Sequence, residues 1–172
     1  VRLQRLLYRA HNPRWSFAPT SGEGAARFGG RFNPIGVAAL YMSWRMETAW
    51  REGQQGFAFK TQPLTICTYN VDCDGVADLT DPRTRSALEV NPADLACAWE
   101  DLALRGIEPP SWVLARRLMS AETAGIVVPS FAPGATEDDR NVVFWRWSDA
   151  FPHLVTVIDD EGRLPKDQQS WS

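Results

Sequence analysis

The sequence predicts an α+β fold. Stretches of strand period and of helix period follow one another without strict alternation, which disfavours a doubly wound parallel sheet. The 172 residues suit one domain, residues 1–172, with room for a real core. Apolar residues make up 44% and charged residues 23% of the chain, the balance of an ordinary globular protein.

Leu6 to His11 reads as the first strand. Asn12 to Arg27, rich in Pro, Gly, Ser and Thr, reads as a long loop, and loops of that length in compact domains tend to be functional or mobile. Ala38 to Ser43 is a short apolar strand. Arg45 to Gly53 is helical, with Met46, Ala49, Trp50 and Gly53 forming its apolar face. Leu64 to Val71 alternates and is β-branched, as a half-buried strand should be. Asp81-Pro82 opens a short helix, with Asp81 as N-cap and Pro82 at the first helical position. Asn91-Pro92 repeats that signal and predicts a helix to about Leu104, stopped by Gly106. Pro110-Ser111 starts another, through Leu118. Gly125 to Pro129 is a compact apolar strand, Phe131 to Arg140 a polar loop, and Asn141 to Trp147 and His153 to Ile158 two further strands. The tail from Asp159 is charged and expected to be loosely held.

Bulk properties exclude several classes. Net charge is −3 and the pI about 5.4, which argues against direct nucleic-acid binding through a basic surface. No apolar run is long enough to span a bilayer, so no membrane association is expected. Val1 to Leu7 carries neither a long apolar stretch nor a small-residue cleavage site. Cys67, Cys73 and Cys97 form no disulfide framework and no paired zinc motif. A reducing, cytoplasmic location is the expectation. The eight tryptophans are many for this length and read as core or interface fillers.

The segment Phe28-Gly29-Gly30-Arg31-Phe32-Asn33-Pro34 carries the clearest chemical signal. Adjacent glycines let backbone approach a ligand closely. Arg31 sets a permanently charged fork beside that backbone, suited to phosphate or carboxylate. Arg9 shares a strand face with Leu7 and His11, so it is expected to point inward and to need an anion. Tyr41 and Ser43 lie two apart on one strand face: the ring can stack on a heterocycle and the hydroxyl can hold a ribose or phosphate. Glu47 and Glu52 each fall roughly 110° from the centre of the apolar helix face, on opposite flanks, so periodicity does not choose between them. Ser130 ends an apolar strand, where side chains are held rigid yet exposed, but it lacks the Gly-x-Ser-x-Gly elbow of a serine nucleophile. His11 and His153 suggest neither a metal cluster nor a triad.

Taken in order, Tyr8-Arg9-Ala10-His11, Gly29-Gly30-Arg31-Phe32-Asn33-Pro34, Leu40-Tyr41-Met42-Ser43, Glu47 to Glu52, Gly125 to Ser130 and Asn141-Val142-Val143-Phe144 resemble the RES domain. That domain is the toxin half of bacterial RES–Xre toxin–antitoxin pairs. Phe32 stands where the family often has Trp. The resemblance implies an ADP-ribosyltransferase-like mixed sheet with flanking helices. It implies NAD+ as substrate, no metal, and cleavage of the nicotinamide–ribose bond. The ADP-ribose would pass to a target protein, or to water or phosphate with NAD+ depletion. The family's Arg, Glu and Ser look like Arg31, Glu52 and Ser130, and this favours Glu52 over Glu47. On this reading Glu52 stabilises positive charge on the ribose. Arg31, with Arg9, holds the pyrophosphate, and Tyr41 stacks on nicotinamide. Gly30, Ser43, Ser130 and Asn141 complete the substrate site. A cognate Xre-type antitoxin is the implied partner. The alternative is a module that binds a nucleotide or a protein without chemistry.

Overall fold

The computed structural model describes residues 1–54 and 61–171. Among these the strands are β1 (Leu3–His11), β2 (Leu40–Ser43), β3 (Thr65–Cys73), β4 (Val76–Asp78), β5 (Gly125–Pro129), β6 (Arg140–Phe144) and β7 (His153–Val157). The helices are α1 (Glu23–Phe28), α2 (Met46–Gln54), α3 (Pro82–Ala87), α4 (Pro92–Leu95), α5 (Trp99–Leu104) and α6 (Pro110–Ser120). The fold is α+β.

The strands form one seven-stranded sheet in the order β4-β5-β6-β2-β1-β3-β7. All neighbours are antiparallel except β4 and β5. The sheet is really two halves. β1 and β3 pair along their full length, Leu3↔Cys73 to His11↔Thr65. β1 and β2 pair in register only at Tyr8↔Ser43. Beyond that point the strands diverge, and the gap holds the site described below.

Alternation along the strands sorts side chains onto two faces. Leu7, Leu40, Met42, Tyr69, Val71, Val142 and Phe144 build the core on one face. Ile126, Val128 and Val143 meet Phe32, Leu79, Leu95, Leu114 and Leu118 on the other. Helices α4 and α6 pack together on this second side, while α2 lies chiefly against β1.

Several sequence expectations change. The stretch Asn12–Arg27 is not a plain loop. It contains a 3₁₀ turn at Pro13–Trp15 and most of α1, because Asn12 accepts from the Arg14 N–H and Gly29, at φ 74°, ends the helix. The helix expected from Asn91 to Leu104 is broken into α4 and α5. A continuous helix would use the Leu95 and Cys97 carbonyls for the amides of Trp99 and Asp101. Arg31 Nη1 takes both instead, at 3.3 and 2.6 Å.

β2 begins at Leu40 rather than Ala38, and β6 ends at Phe144 rather than Trp147. β4 has too few residues for its alternation to register in the sequence. The tail is held further than expected. Asp159 accepts from the amides of Arg163 and Leu164 at 2.7 and 3.0 Å, and Leu164 packs against the core.

The face of α2 also differs. Met46 and Trp50 are exposed, whereas Thr48 and Ala49 are buried, and a Cβ at Gly53 would meet Ala10 Cβ at 3.1 Å. The inward face is thus turned by about 80° from the apolar stripe, at 100° per residue. That rotation carries Glu52 inward and leaves Glu47 outside.

Candidate active site

Glu52 is the centre of a polar cluster at the divergence of β1 and β2. Its Oε1 accepts from Ser130 Oγ and from Asn141 Nδ2, each at 2.5 Å. Asn141 accepts in turn from Ser43 Oγ at 2.7 Å. This last bond orients the amide, so its NH₂ must face the carboxylate. Ser43 pairs with Asn141 across β2 and β6, and Ser130 follows the end of β5. The sheet therefore sets the donors, and α2 brings the acceptor to them.

Glu47 has no part in this. Its side chain is 67% exposed, with Arg45 at 3.9 Å. Of the two glutamates, Glu52 is the one that the fold places in the polar cluster.

What holds α2 in place is Asp139, which sequence reasoning passed over. Its side chain is only 1% exposed. It accepts from Thr48 Oγ1 at 2.5 Å, Arg51 Nη1 at 3.0 Å, and the amide and hydroxyl of Thr136 at 2.8 and 3.0 Å. The Thr48 hydroxyl first, and then the Thr136 amide, hold its carboxyl well below the usual carboxylate range. Its own carbonyl accepts the Ser130 amide at 2.7 Å. One residue thus ties the helix of Glu52 to the strand ends that supply its donors. The Thr-x-x-Asp spacing of Thr136 and Asp139 was the one local sign of it.

The glycine loop is fixed just as tightly. Tyr41 Oη accepts from the Phe32 amide at 3.0 Å and donates to Asn33 Oδ1 at 2.6 Å. Asn33, fully buried, donates to the carbonyls of Ala25 and Val37 at 2.8 and 2.9 Å. Burial pushes the Tyr41 phenol well above its ordinary pKa, so it stays a neutral hydrogen-bonding group. A Cβ on Gly30 would lie 2.5 Å from Tyr41 Oη and 2.6 Å from Asn33 Oδ1, so only glycine fits. Trp112 and Trp145 donate from their indoles to the carbonyls of Gly30 and Phe32 at 2.7 and 2.9 Å. These tryptophans are pins for the loop as well as apolar filling.

Arg31 stacks on Phe131, 4.4 Å from the ring centroid, while it binds the Leu95 and Cys97 carbonyls. Burial lowers its pKa, but an arginine remains charged all the same. Arg9 donates to the Pro19 carbonyl at 2.7 Å, which Tyr69 Oη also reaches at 2.7 Å.

Three adjoining hollows surround these groups. One of about 300 Å³ is lined by Tyr8, Arg9, Tyr41, Ser43, Glu52 and Asn141. A second, of about 480 Å³, joins Arg9, Tyr41, Glu52 and Asn141 to Gly30, Arg31 and Phe131. All the residues that the family resemblance places in the substrate site except Ser130 line one or both, and Ser130 reaches them through Glu52.

The family model described as the RES domain matches residues 6–167. The chain belongs to the RES-domain family. In fold it is similar to a chain in the crystal structure of the M. tuberculosis MbcT–MbcA toxin–antitoxin complex. The TM-score is 0.63 at 20% identity, over 92% of this chain and 84% of that one. No curated protein matches the sequence. In this RES domain the Arg, Glu and Ser singled out from the sequence, Arg31, Glu52 and Ser130, border one region, with Glu52 and Ser130 in direct contact. Among the described residues, no helix is long and apolar enough to cross a membrane.

Proposed function

We infer that this RES domain is the toxin of a toxin–antitoxin pair and that it consumes NAD+. It would cleave the nicotinamide–ribose bond and pass ADP-ribose to a protein, or to water or phosphate. The observation that carries this reading is the Glu52 carboxylate, oriented by Ser130 and Asn141 in a hollow shared with Arg9 and Tyr41.

Departure of nicotinamide leaves positive charge on the ribose, as in glycoside cleavage. A carboxylate held still before that charge develops stabilises it without reorganising at the moment of reaction. Donors from Ser130 and Asn141 supply that fixity. The Tyr41 ring, its hydroxyl locked to the loop, offers a flat wall for the leaving heterocycle. Arg9 and Arg31 supply positive potential for the pyrophosphate. The fold similarity to a chain of a toxin–antitoxin complex supports an antitoxin partner, for which an Xre-type protein is our proposal.

The test is nicotinamide release from NAD+ by the purified protein. Glu52→Gln is expected to lower the rate by at least about 10³-fold, an effect typical of losing a principal electrostatic stabiliser, with unfolding unchanged within 1 kcal/mol or so. NAD+ binding without turnover in the native protein would instead identify a binding module.

A further inference from the structure

The largest of the three hollows takes no part in the chemistry above. It has a volume of about 510 Å³ and is lined by Arg9, His11, Trp15, Glu23, Arg27 and Phe28, among others. Both ring nitrogens of His11 are buried, and neither has a hydrogen-bond partner among the described residues. Buried polar atoms are nearly always paired, so two orphans on one ring call for an explanation. Burial, reinforced by the charge of Arg9, lowers the imidazole pKa to about 4. The ring is therefore neutral near pH 7 and presents one donor and one acceptor.

The hollow is continuous with the site. It shares Arg9, Gly24 and Phe28 with the Arg31–Phe131 hollow, which shares Arg9, Tyr41 and Asn141 with the Glu52 hollow. Arg9 borders all three and stands between the carboxylate at one end and His11 at the other. A cation between two compartments is the arrangement that a dinucleotide needs, with its paired phosphates between two nucleosides. The outer compartment suits a nucleoside. Trp15 and Phe28 offer aromatic surface for a base, the unpaired His11 nitrogens, just beneath the wall, can meet its edge once the imidazole turns, and the Glu23 carboxylate at the rim can accept from ribose hydroxyls.

We propose that the His11 hollow seats the adenosine half of the dinucleotide, with the pyrophosphate crossing Arg9 and the scissile bond at Glu52. This rests on the NAD+ reading of the Glu52 site. It assigns the main pyrophosphate contact to Arg9, which also binds the Pro19 carbonyl but, unlike Arg31, borders all three hollows.

The test is a titration of the full-length protein with AMP, a probe that lacks nicotinamide, followed by the imidazole NMR signals. The chain has only two histidines, which makes assignment simple. AMP is expected to move the His11 signals and leave those of His153, in the native protein and in Glu52→Gln alike. His11→Leu should weaken AMP at least tenfold, and His11→Gln, which keeps a donor and an acceptor, should recover most of that. Should His11→Leu fail to fold, Gly24→Phe serves. A Cβ there meets nothing within 4 Å and Gly24 lines two of the hollows, so the larger side chain should also cut AMP binding tenfold. In both variants the loss of NAD+ turnover should fall on KM more than on kcat.

AMP that leaves His11 unmoved, or binds Gly24→Phe as well as the native protein, overturns the proposal. Nicotinamide release without AMP at His11 would do the same while sparing the Glu52 reading. AMP at His11 without nicotinamide release would keep the nucleotide seat and remove the NAD+ chemistry.

Discussion

Thr48 donates to Asp139 across 91 positions of sequence, at 2.5 Å and out of reach of solvent. Thr48 lies one helical turn before Glu52, so the bond fixes the register and rotation of the helix that carries the carboxylate. Apolar periodicity points this helix elsewhere because its strongest inward contact is polar.

Removing the Thr48 hydroxyl tests that dependence. Thr48→Val keeps the shape but strips the buried Asp139 of a donor, and should cost about 1–2 kcal/mol in urea unfolding. Nicotinamide release should fall about tenfold through kcat, since Glu52 is displaced by small angles rather than removed. Glu47→Gln, at an exposed position of the same helix, should change neither quantity.

Ser130 and Asn141 act on one oxygen, Oε1 of Glu52. A hydrogen bond to a charged group contributes about 1.5–3 kcal/mol. Ser130→Ala and Asn141→Leu should therefore each lower kcat by roughly 10- to 100-fold, at 1.36 kcal/mol per decade. The double variant should lose less than the product of the two, because after the first loss the carboxylate is already mobile. Full additivity would mean that the donors act independently of Glu52.

Arg31 separates a structural role from a ligand role. Its guanidinium bridges the carbonyls that interrupt α4 and α5. Arg31→Ala leaves these part-buried acceptors without that donor and should destabilise the fold by about 1–3 kcal/mol. An arginine that served only the substrate would leave urea unfolding untouched. Arg31→Lys should recover part of the stability, since an ammonium can reach a carbonyl but cannot stack its plane on Phe131.

The strands that carry Tyr41, Ser43 and Asn141, and the one that Ser130 follows, were legible in the sequence as short apolar runs, and Gly29-Gly30-Arg31 announced itself by residue type alone. The choice of Glu52 was legible only through the family resemblance. Its own helix pattern was misleading, since Met46 and Trp50 lie outside. Asp139 was hidden in the run Glu137-Asp138-Asp139, where only its spacing from Thr136 sets it apart from its acidic neighbours. Asn33 stood in the glycine segment with no role of its own, yet its amide joins α1, the glycine loop and Tyr41. Both are residues whose partners come from distant segments, and a periodic pattern does not record such partners. The break between α4 and α5 has the same origin, an arginine from elsewhere in the chain.

Acid should unfold the protein in two separable stages. The His11 pKa is lowered from its ordinary 6.5 to about 4, mainly by burial. Between those values the unfolded chain binds the proton and the folded one does not, so stability falls as pH drops from 6.5 toward 4. The shift would contribute several kcal/mol if fully buried; solvent screening of a partly exposed ring reduces this to about 1–2 kcal/mol. Asp139 acts lower. Its folded pKa is depressed, so its stabilisation is complete above the unfolded carboxylate value near 3.9 and is lost below it as the native carboxyl takes up its proton. Urea unfolding across pH 3–8 should therefore show one decline between about pH 6.5 and 4 and a steeper one beneath. His11→Leu should flatten the first decline alone, and Asp139→Asn the second alone, at a cost to stability near neutrality. A single decline abolished by either substitution would mean that the two groups titrate as one unit, against their separation on opposite sides of the β1–β2 divergence.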